Sequence, residues 1–341
     1  MQPTGKYKIL ICGSEGSLAQ AVIPYLIKNG HKVIGIDSFF RYGKIRRKKN
    51  YKFIKGDLCN RDFVEKIFKE NKIDFIIQTA ARIFGVRGFH KYPADILAYD
   101  TLLHQNILWS AKKHKIKRVI YTSSSMVYER AENIPSQEKD VNNMLIPLTD
   151  YGLSKLVGER LSVAFYKQYG LPYTIWRPFN IITPFEKGEK EPGISHVFAD
   201  FLRKILIEKQ NPVEIFGDGK QIRSFTWIYE VAEAIANHSF EEITKCKIFN
   251  LGQHNKKGKA EAITMNELAQ KIFDKGKGFG IIHKNKKLKI KHIKDKLIQK
   301  TDVRLRIPDA TFAHKTFGWK TEITIDKALD YCVDQIIKKI Y

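Results

Sequence analysis

ILICGSEGSLAQAVIPYLIKNG, residues 9–30, is the stretch whose reading decides the fold. An apolar run, YKILIC (7–12), reads as a strand; it breaks at Gly13, and a helical pattern follows over about 17–29. The small residues are spaced Gly13-x-x-Gly16-x-x-Ala19. Glycine lets the backbone come close to a pyrophosphate, and a helix starting there offers N–H groups and the positive end of its dipole. A small third residue lets helix and strand pack closely. The next strand, KVIGID (32–37), ends on Asp37. A carboxylate at that point is placed to bind ribose hydroxyls and repels a 2′-phosphate. The combination predicts a dinucleotide site that takes NAD in preference to NADP, with Arg41 close by as the one residue favouring a 2′-phosphate. Gly13, Glu15, Gly16, Ser17, Leu18, Asp37 and Ser38 are its candidate contacts.

Outward from that turn, strand-like runs continue at 51–57, 74–81, 118–124 and 173–178, most of them separated by helical stretches. Near-continuous apolar strands joined by helices predict an α/β fold, a Rossmann doubly wound parallel sheet covered on both faces. The second half is less regular. ISHVFADFLRKILIE (194–208) reads as an amphipathic helix, VEIF (213–216) and KIFNLG (247–252) as strands, and helices follow near 265–274 and 325–339. We therefore expect an NAD-binding domain over 1–180, to which a strand at about 246–252 returns. Residues 181–341 form mainly a smaller α/β substrate domain. No repeat or flexible linker separates the two.

Composition narrows the class. With 341 residues and 43% apolar content, the chain can bury a large core, and no apolar run reaches membrane-span length. The start of the chain shows no signal-peptide pattern, which leads to a cytoplasmic expectation. Cys12, Cys59, Cys246 and Cys332 are scattered without a paired motif, so neither a metal site nor a disulfide framework is expected. The net charge of +24 permits a polyanion partner, but the lysines are spread along the chain. The densest run, KNKKLKIKHIKDKLIQK (284–300), alternates with Leu and Ile like an exposed element edge. No basic motif interleaved with aromatics appears, so nucleic acid is not an expected partner. An anionic small molecule would profit from the same field.

Tyr151 and Lys155, in DYGLSK (150–155), are four apart on a helical stretch and so share a face. Taken alone the pair decides little. Nine stretches together carry a resemblance: GSEGSLA (13–19), IDSFF (36–40), GDL (56–58), QTAA (78–81), YTSSSMVY (121–128), YGLSK (151–155), RPFN (177–180), IFGDGKQIRSFTWI (215–228) and FNLG (249–252). In this order and spacing the chain resembles, essentially end to end, the extended short-chain dehydrogenase/reductases of the nucleotide-sugar epimerase/dehydratase group. The resemblance implies Asp57 and Leu58 beside the adenine. It places Thr79, Ala80 and Ala81 along the cofactor cleft, with Asp100, Thr122 and Pro178 as further contacts. It implies that Ser124, Tyr151 and Lys155 are catalytic, Ser125 being the reserve for Ser124. The ammonium of Lys155 and a nicotinamide cation favour the phenolate of Tyr151, and Lys155 also holds the nicotinamide ribose. Arg82, Ser124, Ser125, Met126, Asn180, Val197 and Arg223 are the implied substrate contacts, with Asn180 and Arg223 on the diphosphate.

The residues after Ser124 bear on the reaction. Dehydratases of the group carry an Asp-Glu pair there; Ser125 and Met126 cannot carry protons, so elimination is not expected. Hydride chemistry at sugar C4 remains, as a 4-epimerase or as a 4-dehydrogenase that releases the keto sugar. AARIFGVRGF (80–89) and GDGKQIRSFTWI also resemble GDP-mannose 3,5-epimerase, which implies a GDP-linked or heptose-like sugar. Where that enzyme has a cysteine acid/base, this chain has Met126. Lys187 and Lys190 of FEKGEKEPG (185–193) are the alternative proton carriers, if that loop is not simply a solvated lid. Asp100 replaces a usual Asn, and Gln78 a usual His. A nucleotide-diphosphate sugar is thus the expected partner. A homodimer through the helices at about 93–114 and 150–169 is expected too. A non-catalytic RNA-binding module is the distant alternative, against which the intact Ser/Tyr/Lys set speaks.

Overall fold

The computed structural model describes residues 6–41, 50–191, 193–255, 257–301 and 303–338. Six strands appear in the first half: β1 (Lys8–Cys12), β2 (Lys32–Asp37), β3 (Lys52–Lys55), β4 (Phe75–Gln78), β5 (Arg118–Thr122) and β6 (Tyr173–Pro178). Shorter ones follow: β7 (Ile181–Ile182), β8 (Val213–Phe216), β9 (Ile222–Ser224), β10 (Thr226–Trp227), β11 (Lys247–Leu251), β12 (Ala262–Thr264), β13 (Ile290–Ile293) and β14 (Leu305–Arg306). A seven-stranded sheet runs in the order β11-β6-β5-β4-β1-β2-β3, and every pairing in it is parallel. This is the doubly wound architecture expected. The chain winds one way from β1 to β3, then the other way from β4, so the strand order reverses between β1 and β4. Ligands bind outside the carboxyl ends of the strands at such a point.

The alternation of side chains explains the layers. Ile9 and Ile11 of β1 enter the core on one face, with helices α1 (Ser17–Lys28) and later residues 228–240; Leu10 and Cys12 enter the opposite core. That opposite core is roofed by α2 (Arg61–Glu70) and, after the short α3 (Val86–Lys91), by α4 (Pro93–Lys113). Helix α5 (Asp150–Tyr169) packs along α4. Strand β11 pairs in register with β6, Lys247 opposite Thr174 and Leu251 opposite Pro178, so the chain beyond 181 re-enters the main sheet.

A separate apolar core beyond the main sheet unites Phe198, Leu202, Ile205 and Leu206 with Leu268, Ile272, Leu329 and Val333. Around it lie the small sheets: β13 on β8, and β9 between β12 and β14. The amphipathic helix expected over 194–208 differs in two ways. It is helical as α6 (Val197–Leu202) and then widens into a π-turn at Arg203–Ile207. Its polar positions do not face water: Asp200, Arg203 and Lys204 are buried, with Asp200 accepting from Arg203 at 3.0 Å and paired with Lys204 at 2.7 Å. Mutual pairing lets three charges sit inside an apolar layer where periodicity alone reads a solvent face. Among the described residues no helix is long and apolar enough to cross a membrane, all four cysteines are free, and no cluster of His, Cys, Asp or Glu could hold a metal ion.

Candidate active site

A cleft of about 460 Å³ opens at the carboxyl ends of the main sheet and runs between the two cores. Its first half is built by the turn after β1. Gly13 has φ +76°, and a Cβ placed on it would lie 2.7 Å from the Cα of Ala80. The loop after β4 therefore abuts this backbone, as only glycine permits. The amides of Gly13 and Ser14 donate to the Ile36 carbonyl at 2.8 and 3.0 Å, which ties the turn to β2. Gly16 is the N-cap of α1, and neither a capping side chain nor a first-turn acid covers that end of the helix. Asp37 accepts from the amides of Glu15 and Phe39 at 3.0 and 2.7 Å.

Along the same wall stand Glu15, Ser17, Leu18, Ser38, Asp57, Leu58, Thr79, Ala80, Ala81 and Arg82. The Arg82 guanidinium lies 3.1 Å from the centre of the Phe40 ring and 4.0 Å from that of Tyr99. Asp100 is set behind this wall rather than in it: it is buried and accepts from the Arg82 amide at 2.7 Å. Its place on α4 points it at the loop that carries the wall. Gln78 is likewise buried and hydrogen-bonds the amide and carbonyl of Ala80 at 3.3 and 3.2 Å. Arg41 hydrogen-bonds the carbonyls of Ile83 and Ile194 and pairs with Glu189, so its head anchors the 185–194 loop to the rim.

The second half is built by the ends of β5 and β6 and the start of α5. Ser124 caps a 3-10 turn, Ser125–Tyr128, accepting from the Met126 amide at 3.2 Å. Thr149 caps α5 by accepting from the Gly152 amide at 3.1 Å, and Glu129 grips Thr149 by both its amide and its hydroxyl. These contacts put Tyr151 in the first turn of α5 and Lys155 one turn later. The Tyr151 ring stacks on Phe89 with centres 4.8 Å apart, and its phenol stands near enough to Ser124 for that hydroxyl to act on its acidity. Lys155 donates to the Thr122 carbonyl at 3.3 Å, its Nζ 5.7 Å from the Tyr151 ring centre. Thr122, Ser124, Ser125, Met126, Tyr151, Lys155, Pro178, Asn180, Val197 and Arg223 all line the cleft.

The protein's own groups leave the phenol weakly acidic. Burial pushes the Tyr151 phenol up, the Asp100 carboxylate pushes it further, and Ser124 pulls only part of the way back. Burial also pulls the Lys155 ammonium down, opposed by Asp100 and Glu159. A positive charge beside the ring would favour the phenolate.

Beyond β6, Asn180 has φ +34° and donates to the Ser224 carbonyl at 2.8 Å. Arg223 on β9 is in register with Arg306 on β14, and both line the cleft. Met126 lies in an apolar cluster with Phe84, Phe89, Ile96, Tyr151 and Ile194. Lys187 and Lys190, the expected alternative proton carriers, are exposed and stand outside the cleft lining; Glu186 and His196 of the same segment are in it.

The profile of the NAD dependent epimerase/dehydratase family matches residues 9–252. The chain belongs to this family. Over 335 residues it is 28% identical to UDP-glucuronate 4-epimerase of Thermodesulfobacterium geofontis, covering 95% of this chain and 94% of that one. The structure superposes on UDP-glucose 4-epimerase of Thermotoga maritima, solved with UDP-glucose, with a TM-score of 0.81 and 25% identity over 98% of this chain and 100% of that one. Its fold also matches UDP-glucose 4-epimerase of Thermus thermophilus in complex with NAD, TM-score 0.79 at 21% identity, over 97% and 99% of the two chains.

As a family member the chain is an NAD-dependent enzyme, and its own residues fit that cofactor. The uncapped N-terminus of α1 suits a diphosphate, and Asp37 at the end of β2 suits a ribose. Among the cleft residues that escaped sequence reasoning are Arg306, Glu186 and His196. None sits in a motif, and Arg306 meets Arg223 only through a pairing of strands more than eighty residues apart. The one signal available was that VRLRIP (303–308) alternates like a strand.

Proposed function

We propose that this enzyme oxidises a nucleotide-diphosphate sugar at C4 and returns the hydride to the opposite face, as an NDP-sugar 4-epimerase working through a 4-keto intermediate. One observation carries the reading. Ser124, Tyr151 and Lys155 share a cleft with an in-register arginine pair, while the positions after Ser124 hold a serine and an apolar-packed methionine. Arg223 and Arg306 hold the diphosphate, for which paired guanidinium forks are suited. Asn180 fixes the turn beside it. The Tyr151 oxygen takes the C4 hydroxyl proton, Ser124 holds the same oxygen, and Lys155 orients the ribose next to the phenol. Bound NAD supplies the hydride acceptor and the positive charge that lets so deeply buried a phenol ionise. No acid/base pair is present at 125–126 for elimination across C5–C6. The exposed Leu102 and Trp109 of α4 and Tyr166 and Tyr169 of α5 support the homodimer through these helices.

The reading is tested by mass spectrometry of the nucleotide released on denaturing the purified protein, followed by an NMR screen of UDP-, GDP-, dTDP- and CDP-sugars for C4 inversion. Retained NAD and an inverted sugar support it. Stoichiometric NADH without inversion would make the enzyme a 4-dehydrogenase. Failure to bind any dinucleotide would remove the enzymatic reading. Within it, Arg306→Gln is expected to raise KM for the nucleotide sugar roughly ten- to hundred-fold, as loss of about 1.5–3 kcal/mol from a charged hydrogen bond predicts. NAD content should stay constant, since Arg306 lies on the sugar side of the cleft; an unaltered KM would take Arg306 off the diphosphate.

A further inference from the structure

Glu186 and His196 meet on the cleft wall. His196 donates its backbone N–H and its ring Nδ1–H to the Glu186 carboxylate, each at 2.9 Å. Glu186 is buried, whereas 41% of the His196 side chain is accessible. A carboxylate that takes Nδ1–H fixes the tautomer and leaves Nε2 as the basic nitrogen for the cleft. Burial by itself pulls the imidazole down, but the Glu186 charge and its hydrogen bond together outweigh it and the net shift is upward, against smaller opposition from Arg41 and Arg306.

The dyad is also on the side of the cleft where the sugar must lie. Ile194, two residues before His196, packs in the cluster that holds Met126 and Tyr151. The Arg306 guanidinium acts electrostatically on both Tyr151 and His196. The dyad thus brings to the reaction chamber the proton-carrying group that Ser125 and Met126 lack.

We propose that His196, oriented by Glu186, is a second proton carrier, exchanging the hydrogen on a ring carbon next to C4 of the oxidised sugar. This rests on the C4 oxidation proposed above. With C4 a carbonyl, the neighbouring C3–H or C5–H is acidified, because the electron pair it leaves can spread onto the C4 oxygen. Nε2 of His196 takes the proton, a carbon–carbon double bond forms, and the C4 oxygen becomes an enolate. Returning the proton to the same carbon restores the ketone, with no net gain or loss of electrons. Delivery to the other face inverts that carbon, so the site would handle sugars changed at two centres.

The test incubates the NAD-loaded protein in D2O with UDP-glucose, UDP-glucuronate and GDP-mannose in parallel. C4 chemistry is read as inversion or NADH formation, and deuterium is located by NMR. The expected result is deuterium at C3 or C5. In His196→Asn that exchange falls about 100-fold further than C4 chemistry in the same sample, the scale of a lost acid/base group. Glu186→Gln shifts the ratio in the same direction, and Lys187→Met, on the exposed loop, leaves it where it was. C4 chemistry without deuterium at C3 or C5 would overturn the inference and leave the 4-epimerase reading standing. A parallel fall of both rates in His196→Asn would also overturn it, showing that the dyad only holds the loop. If none of the three sugars reacts at C4, the C4 reading fails for them and this inference fails with it.

Discussion

Tyr151→Phe is expected to slow sugar oxidation by about 10²–10⁴-fold while NAD stays bound, because it deletes the group that the proposed mechanism uses to take the C4 hydroxyl proton. The substitution is nearly silent for packing. The ring keeps its stack on Phe89 and its place beside Met126 and Ile194, and only the phenolic oxygen goes. Ser124 retains its contact with the Met126 amide, so the 3-10 turn that presents it should persist. Single-turnover NADH formation, with nucleotide content measured on the same sample, separates lost chemistry from lost binding. A rate within a few-fold of the parent enzyme would mean that another group accepts the proton.

Glu159→Ala should destabilise the fold by about 3–5 kcal/mol, the cost of stranding one member of a buried ion pair. Glu159 on α5 and Arg177 on β6 are both almost wholly buried and meet in a two-pronged contact of 2.8 and 2.6 Å. Arg177 also donates to the Tyr128 hydroxyl at 2.6 Å and the Glu138 carbonyl at 2.9 Å, and Ser123 donates to Glu159 at 2.5 Å. Without the carboxylate, a guanidinium remains in the core with no counter-charge at contact distance. Urea unfolding measures the loss. Adding Arg177→Leu should recover part of it, because the buried charge then disappears. A single-variant loss below about 1 kcal/mol would show that the pair is not isolated from water as the geometry has it. The network lies under the site: Ser123 precedes Ser124, and Arg177 precedes Pro178. Activity should therefore fall together with stability.

Both expectations draw on features of different legibility. The Gly13 turn, Asp37 and the Tyr151–Lys155 spacing could be read directly, because each depends on contacts within a few residues of chain. The phenol's raised pKa could not. It arises first from burial in the folded cleft and then from Asp100, which stands about fifty residues earlier on α4 and is brought behind the wall by the packing of α4 on α5.

Sequence alone determined the alternation of strands and helices, the parallel sheet, the glycine turn after β1 and the helix face shared by Tyr151 and Lys155. Those features follow from side-chain period, from the φ freedom of glycine, and from the rise of a helical turn, all of which act locally. Tertiary structure alone decided that Arg306 stands beside Arg223, that Glu186 holds His196 in the cleft while Lys187 and Lys190 face away, and that Asp200, Arg203 and Lys204 are interior. Each of these depends on which distant segments pack together. A charged residue carries no mark in its own sequence neighbourhood of whether its partner will be water or another buried charge.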